Sequence, residues 1–256
     1  MLDIHCHILP YLDDGASDLK ESVDMVKLEL NQGVTTIIAT PHLNKVNYKT
    51  TMRDVEYSYN ILKKELKNRN IEINILLGHE ISIQSDTFDV LKEKSFYSLA
   101  GTRYILLEIS DNKMLSDLDN ILYEVKLLGY FPIIAHFERC TSLLKDINLF
   151  KSIINEGVYL QINSSSILSN KSSEQARFSK FLLENKLVTF IASDCHNLDN
   201  RKPNLDACYK RIKINYGKKY ADELLIQNPN KLIGDIQINY VQYNSENHKL
   251  SLRKIF

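Results

Sequence analysis

Val34-Thr-Thr-Ile-Ile-Ala-Thr-Pro-His42 sets an apolar run, a turn signal and a histidine side by side. The run Val34–Ala39 shows little alternation, as suits a strand buried on both faces. The same grammar recurs at Leu2–Ile4, Ile73–Leu77, Tyr104–Leu107, Phe131–Ala135, Val158–Ile162 and Val188–Ala192. Stretches of helical length separate these runs. Asp18-Leu-Lys-Glu21 is a capping start, Val23, Val26 and Leu30 come next at helical spacing, and Gly33 is the stop. Residues 53–68, 115–128, 142–155, 174–185 and 204–216 read as helices in the same way. Strand–helix alternation predicts a single α/β unit of parallel strands with right-handed crossovers. Seven strands either close into a barrel or stay open as a doubly wound sheet, and periodicity does not choose between them. From Asp235 to Phe256 the pattern breaks, leaving a strand-like extension, a docking segment or a loose tail.

The chain has 256 residues, enough for one domain of barrel size, and 44% are apolar. Lys plus Arg and Asp plus Glu number 32 each, a balance that argues against nucleic acid as the main partner. The four cysteines, Cys6, Cys140, Cys195 and Cys208, show no paired spacing and predict a reduced protein rather than a disulfide framework. No signal peptide is read at the start, and no apolar run approaches the roughly 20 residues of a transmembrane helix. A cytoplasmic location is expected.

The polar residues at the ends of the apolar runs are more informative. His5 and His7 stand after the first, with Asp13-Asp14 a few residues on. His42 stands after the second, His79-Glu80 after the third, Glu108 ends the fourth, His136 the fifth, and Asp194 and His196 the seventh. Parallel α/β folds gather their sites at the carboxyl ends of strands. One such residue is ordinary at a strand end. Six strand ends together are not, because buried charge is costly unless paired or metal-bound. Residues i and i+2 of an extended chain face one side, so His5 and His7 can reach one ion. Imidazole and carboxylate without thiolate suit Mn, Fe or Zn, and so many donors predict two or three ions. Arg139 and Arg201 stand in the loops after His136 and His196, and guanidinium groups grip phosphate in a bidentate way. Cys195 and Arg201 match the Cys-x5-Arg spacing of cysteine-dependent phosphatases. The segment between them has no glycine to let backbone amides wrap a phosphate, so Cys195 is expected to be a bystander.

These motifs together resemble the PHP (polymerase and histidinol phosphatase) family. Within it, the sequence is similar to the manganese-dependent bacterial protein-tyrosine phosphatases of capsule and exopolysaccharide biosynthesis. The matching segments are Asp-Ile-His-Cys-His-Ile-Leu-Pro at 3–10, Asp-Asp-Gly at 13–15, Thr-Pro-His at 40–42 and Gly-His-Glu-Ile at 78–81. Ala-His-Phe-Glu-Arg at 135–139, Ala-Ser-Asp-Cys-His-Asn at 192–197 and Asn228-Pro229 continue the series in order. The resemblance implies a distorted seven-stranded (β/α) barrel over residues 1–233, with 234–256 as an extension of unknown role. It implies up to three divalent ions, Mn2+ first, with Fe, Zn, Mg or Co as alternatives. His5, His7, Glu80 and Asp194 would hold one ion. Glu80, Glu108 and His136 would hold a second, with Glu80 bridging, and Asp14, His42 and His196 a third. Arg139 and Arg201 would grip the phosphate. His79 has no role in the pattern.

The activity implied is metal-dependent removal of phosphate from a phosphotyrosine protein, with the cognate bacterial tyrosine kinase as the expected partner. A small-molecule phosphatase acting on a substrate such as histidinol phosphate shares the same ligands and is the alternative. A C–N or ester hydrolase also opens with His-x-His, but such enzymes often need a bridging lysine, and no strand end offers one. A non-catalytic regulator that binds the kinase is the reading from another class, and the full donor set argues against it.

Overall fold

A computed structural model of the chain describes residues 1–43, 48, 50–84, 87–109, 118–169, 173–241 and 243. Seven of the strands it describes sit on the apolar runs and two, β3 and β5, lie just beyond them: β1 (Leu2–Cys6), β2 (Thr36–Ala39), β3 (His42–Leu43), β4 (Asn74–Leu77), β5 (Glu80–Ser82), β6 (Tyr104–Glu108), β7 (Phe131–Ile134), β8 (Tyr159–Asn163) and β9 (Phe190–Ala192). All the pairings are parallel, in the orders β1-β2-β4 and β3-β5-β6-β7-β8-β9. Thr40-Pro41 interrupts one run and Gly78-His79 another, as expected where Pro removes a ladder donor. Gly78 N still donates to Ala39 O at 2.9 Å and Glu80 N to Pro41 O at 3.2 Å, so the row continues. Past β9, Asp194 N donates to His5 O and His7 N to Cys195 O, both at 2.9 Å. The curled parallel sheet therefore meets its own first strand.

Side-chain parity builds two cores. Leu2, Ile4, Ile38, Tyr104, Leu106, Ile133, Ala135, Tyr159, Phe190 and Ala192 fill the inside of the curl. Ile37, Ile105, Leu107, Ile134, Leu160, Ile162 and Ile191 face outward against the helices. The inward set continues at steps of two into Glu108 on β6 and into Gln161 and Asn163 on β8, so the apolar filling gives way to polar residues at the carboxyl ends. On β1 the pairing register shifts between Asp3 and Cys6. Ile4 lies in the inner core and Cys6 in the outer one, which leaves His5 and His7 together on the site side.

Helices α1 (Leu19–Asn31), α2 (Met52–Asn68), α3 (Thr87–Glu93), α4 (Leu118–Leu127), α5 (Ile147–Asn155), α6 (Ser164–Leu168), α7 (Glu174–Glu184), α8 (Leu205–Tyr216), α9 (Lys218–Asp222) and α10 (Asn228–Ile233) complete the chain. Asp18 caps α1 through Glu21 N at 2.8 Å, but Glu21 turns to Ser17 instead of closing the box. Thr51 and Asp54 close a full capping box on α2. The helix expected over 142–155 starts later, because Thr141–Lys145 is a 3-10 turn and Asp146 caps α5. Helices α3, α6 and α9 are too short for periodicity to reveal them, and a π turn, Glu223–Gln227, joins α9 to α10. The first residues expected in the 115–128 helix, 115–117, lie outside the described residues.

Beyond Gly234 the described residues take no regular form and close the amino-terminal end of the curl. Asp235 receives Arg103 N at 2.9 Å and Nε at 3.0 Å, Ile238 N donates to the Tyr104 hydroxyl at 3.1 Å, and Tyr240 stacks on Tyr159 with centroids 4.5 Å apart. Residues 235–241 thus pack against the body of the chain. No helix among the described residues is long and apolar enough to cross a membrane.

Candidate metal centre

Every site residue read from the sequence lies at the carboxyl end of the curl. Glu80 is at the middle. Its Oε2 stands 3.2 Å from His5 Nε2, 3.2 Å from His7 Nε2 and 3.1 Å from His42 Nδ1, while Oε1 stands 2.8 Å from His136 Nε2. Asp194 Oδ1 lies 3.4 Å from His5 Nε2 and 3.5 Å from His196 Nδ1. Asp14 Oδ1 lies 3.4 Å from His42 Nε2 and 3.5 Å from His196 Nε2. Glu108 completes the far side, 3.6 Å from His136 Nε2 and 3.9 Å from His42 Nδ1. Three donor groups overlap here: His5, His7, Glu80 and Asp194; His7, Asp14, His42 and His196; and His42, Glu80 and Glu108. The grouping differs in detail from the one the resemblance implies, since His7 and His42 are each shared between two groups and His136 reaches Glu80 and Glu108 from the side.

The donors fit cations. Ligands about 2.1 Å from one ion stand roughly 3.0–3.5 Å apart, the spacing seen for most of these pairs. Glu80 Oε2, His42 Nδ1 and His196 Nε2 are buried without a hydrogen-bond partner, and all three point into the cluster. Orphaned buried polar atoms are rare and call for an explanation, which an ion supplies. His136 and Asp194 both hold positive φ, 32° and 52°, a conformation costly for residues with a Cβ and typical of functional positions.

The imidazoles are held by partners the sequence did not single out as functional. Asp13 Oδ2 stands 2.8 Å from His7 Nδ1 and accepts from His42 N at 2.8 Å. Gln161 Oε1 lies 3.2 Å from His5 Nδ1 and accepts from His136 N at 2.9 Å, while Gln161 Nε2 donates to Asn163 Oδ1 and Asn163 Nδ2 donates to Asp194. Such outer partners fix ring orientation and ligand basicity. A signal for them existed: Gln161 and Asn163 are polar residues two apart in an otherwise apolar run, at the parity of buried Tyr159. Tyr48, also unmarked, stacks on His42 at 5.4 Å. His79 faces away from the cluster, its Nδ1 accepting from Tyr97 N at 2.8 Å, and burial lowers it to about 4.

Arg139, exposed, and Arg201, partly buried, stand at the rim. Arg139 Nη2 reaches Asp194 Oδ2 at 2.7 Å, and Arg201 reaches Asp194 at 3.1 Å and Asp14 at 3.3 Å. Cys195 points the other way, its Sγ 2.8 Å from that of Cys6.

Charge in the cluster is tightly balanced. Burial alone would lower His5, His7 and His42, but Glu80 and Asp194 beside the first, Asp13 and Glu80 beside the second, and Asp14 and Glu80 beside the third raise all three. Burial, with His7 adjacent, lowers His196 to about 4. These directions fix the sign of the pH dependence. Raised histidines stabilise the fold below their unfolded value of about 6.5, and that contribution is lost as pH climbs through the folded values. His79 and His196, being depressed, withdraw theirs as pH falls from about 6.5 toward 4. Chelated protein should therefore melt highest near about pH 6.5 and lower at about pH 8.5, while metal affinity rises over the same interval as ligands shed protons. Melting curves at the two pH values with chelator check this, and a higher melting temperature at the alkaline value would contradict it.

The CpsB/CapC model of capsular polysaccharide synthesis matches residues 1–234. The chain belongs to the CpsB/CapC family. Its relatives include the tyrosine-protein phosphatase CpsB of Streptococcus agalactiae, 38% identical over 91% of this chain and 98% of that one, and the tyrosine-protein phosphatase YwqE of Bacillus subtilis, 37% identical over 89% and 92%. Among solved structures, one described under YwqE from Bacillus subtilis and CpsB from Streptococcus pneumoniae as unique metal-dependent tyrosine phosphatases superposes with a TM-score of 0.85. It is 32% identical over 94% of this chain and 97% of that one. A β-aspartyl dipeptidase from Fervidobacterium islandicum shares the fold alone, at 12% identity and a TM-score of 0.54 over 91% of this chain and 72% of that one. The CpsB/CapC match ends at residue 234, where the docked segment begins.

Proposed function

We propose that this CpsB/CapC chain is a metal-dependent protein-tyrosine phosphatase of capsule or exopolysaccharide synthesis, acting on the cognate bacterial tyrosine kinase. The observation that carries the reading is the convergence of His5, His7, Asp14, His42, Glu80, Glu108, His136, Asp194 and His196 into one cluster holding three orphaned donor atoms, in a chain whose relatives are named tyrosine-protein phosphatases. The curled sheet is read as a distorted seven-stranded barrel over residues 1–233, since β2 with β3 and β4 with β5 each continue one run. Residues 234–241 pack against it as the start of an extension.

Up to three divalent ions would be held; imidazole and oxygen donors without thiolate suit Mn, Fe or Zn, and the family resemblance puts Mn2+ first. Bound ions of this kind acidify water to a pKa of about 7 and neutralise phosphate charge. The side chains do the rest. Glu80 joins four imidazoles and so fixes the spacing between donors. Asp13 and Gln161 hold His7 and His5 in one ring orientation. Arg139 and Arg201, both bound to Asp194 and both open to solvent along part of their length, are placed to take two oxygens of an entering phosphate and to leave the tyrosyl oxygen facing outward. A phenolate leaves more readily than an alkoxide, which lessens the demand for a general acid.

Purified chain assayed on a phosphotyrosine peptide and on histidinol phosphate, with and without chelator, tests this. Turnover of the peptide that depends on added manganese and vanishes with chelator is expected. Preference for histidinol phosphate, or activity indifferent to chelator, would refute the reading.

A further inference from the structure

Beneath the imidazole–carboxylate centre lies a second group of donors that the phosphatase reading leaves unused. Asp3 and Cys6 on β1, Glu29 on α1 and Cys195 after β9 are all fully buried, and one donor atom from each lies within 4.8 Å of the others. Cys6 Sγ and Cys195 Sγ are 2.8 Å apart, and Glu29 Oε1 is 3.9 Å from Cys195 Sγ. Glu29 Oε2 has no hydrogen-bond partner. Asp3 accepts from His5 N at 3.3 Å, from Ser193 N at 3.1 Å and from the Ser193 hydroxyl, an arrangement that holds a carboxylate in one orientation.

Two carboxyl groups in a dry interior need either protons or a cation, because unpaired buried charge costs several kcal/mol. Among the described residues, no ion pair joins Asp3 or Glu29 to a lysine, an arginine or the α-ammonium group. The Met1 α-ammonium donates to Gly33 O at 2.7 Å instead. We propose that Asp3, Cys6, Glu29 and Cys195 form a separate, closed site for one thiophilic divalent ion, zinc by donor chemistry. Two sulfurs and two oxygens complete four-coordination, and with every ligand buried no position is left open for substrate, so the site is structural. Binding displaces two protons from the four donors into solvent, the thiol protons first, so that one dication leaves the buried group without net charge. Zn–S bonds of about 2.3 Å would set the sulfurs roughly 3.8 Å apart, so they separate by about 1 Å when the ion enters. Cys6 lies between His5 and His7, and Cys195 between Asp194 and His196. One ion here clamps the two backbone segments that carry four donors of the centre above.

Cobalt separates the two sites by colour. The full chain is stripped of metal, kept reduced and titrated with Co2+. Thiolate ligands give a sulfur-to-cobalt charge-transfer absorption in the near ultraviolet, which imidazole and carboxylate do not. The expected result is such a band whose final intensity corresponds to one cobalt per chain whatever the upper centre takes up, displaced by Zn2+, abolished in Cys195→Ala and weakened in Glu29→Gln. Should Cys195→Ala fail to fold, the double variant Cys140→Ala/Cys208→Ala decides: it removes the two other thiols and must keep the band. Cobalt binding without a thiolate band, or a band lost in the double variant, overturns the proposal.

Discussion

Glu80→Gln is expected to reduce phosphatase turnover by at least about a hundredfold and to lower the number of ions bound per chain. The magnitude rests on geometry. One carboxylate touches four imidazoles within 3.2 Å, from β1, β3 and the end of β7. Altering a group that merely orients a ligand costs about 10- to 100-fold, and Glu80 would itself be the shared donor. Glutamine keeps the shape but loses the charge that burial would otherwise suppress and that the surrounding imidazoles draw well below the ordinary carboxylate range. The variant carries a second signature. With Glu80 gone, His5, His7 and His42 lose a carboxylate that raises them, so the alkaline loss of stability in chelated protein should flatten. Glu65→Gln, which disturbs only a helix-surface pair with Arg69, should change neither property. Metal analysis, turnover on a phosphotyrosine peptide and melting curves at two pH values read all three effects. A Glu80→Gln protein with full metal content and turnover would remove the carboxylate from the centre.

Gly15→Ala is expected to be nearly as damaging without touching a donor. A Cβ at Gly15 would stand 2.3 Å from His7 O and 2.6 Å from His7 Cβ. Neither atom can rotate away, so the loop carrying Asp13 and Asp14 must move. Asp13 holds His7 and His42 N, and Asp14 reaches His42 and His196, so a small shift of the loop loosens both ends. Overpacking of this sort costs about 1–3 kcal/mol of stability, and loss of the orienting carboxylate costs about 10- to 100-fold in metal affinity. Gly234→Ala is the control, since its nearest contact is 3.4 Å and its φ is not positive. Metal titration by calorimetry distinguishes the two, and equal affinities would show that the loop yields at no expense to the site.

Much of the centre was legible because two periodicities coincide. Apolar runs buried on both faces mark parallel strands, and in such folds every run ends at the same edge of the sheet. The histidines and carboxylates at the ends of six runs therefore had to face one another whatever the curvature. The pairing of His5 with His7 was legible from alternation, but the side they face was not, because the register shift in β1 moves Cys6 to the outer core while both imidazoles stay on the site side. Gln161 and Asn163 carried a signal in their parity. Asp13 was visible only as one of two adjacent carboxylates, and nothing local says which turns toward His7.

The order of the chain alone determined at which end of the molecule the histidines and carboxylates gather, since strand direction and side-chain alternation are local properties of the backbone. Distances belong to the tertiary structure. That Glu80 sits among four rings, that Arg139 and Arg201 both close on Asp194, and that two thiols and two carboxylates share a buried pocket under the site all depend on how tightly the sheet curls and which neighbours it brings across the gap. Curl is set by packing between residues far apart in sequence, which no short stretch encodes.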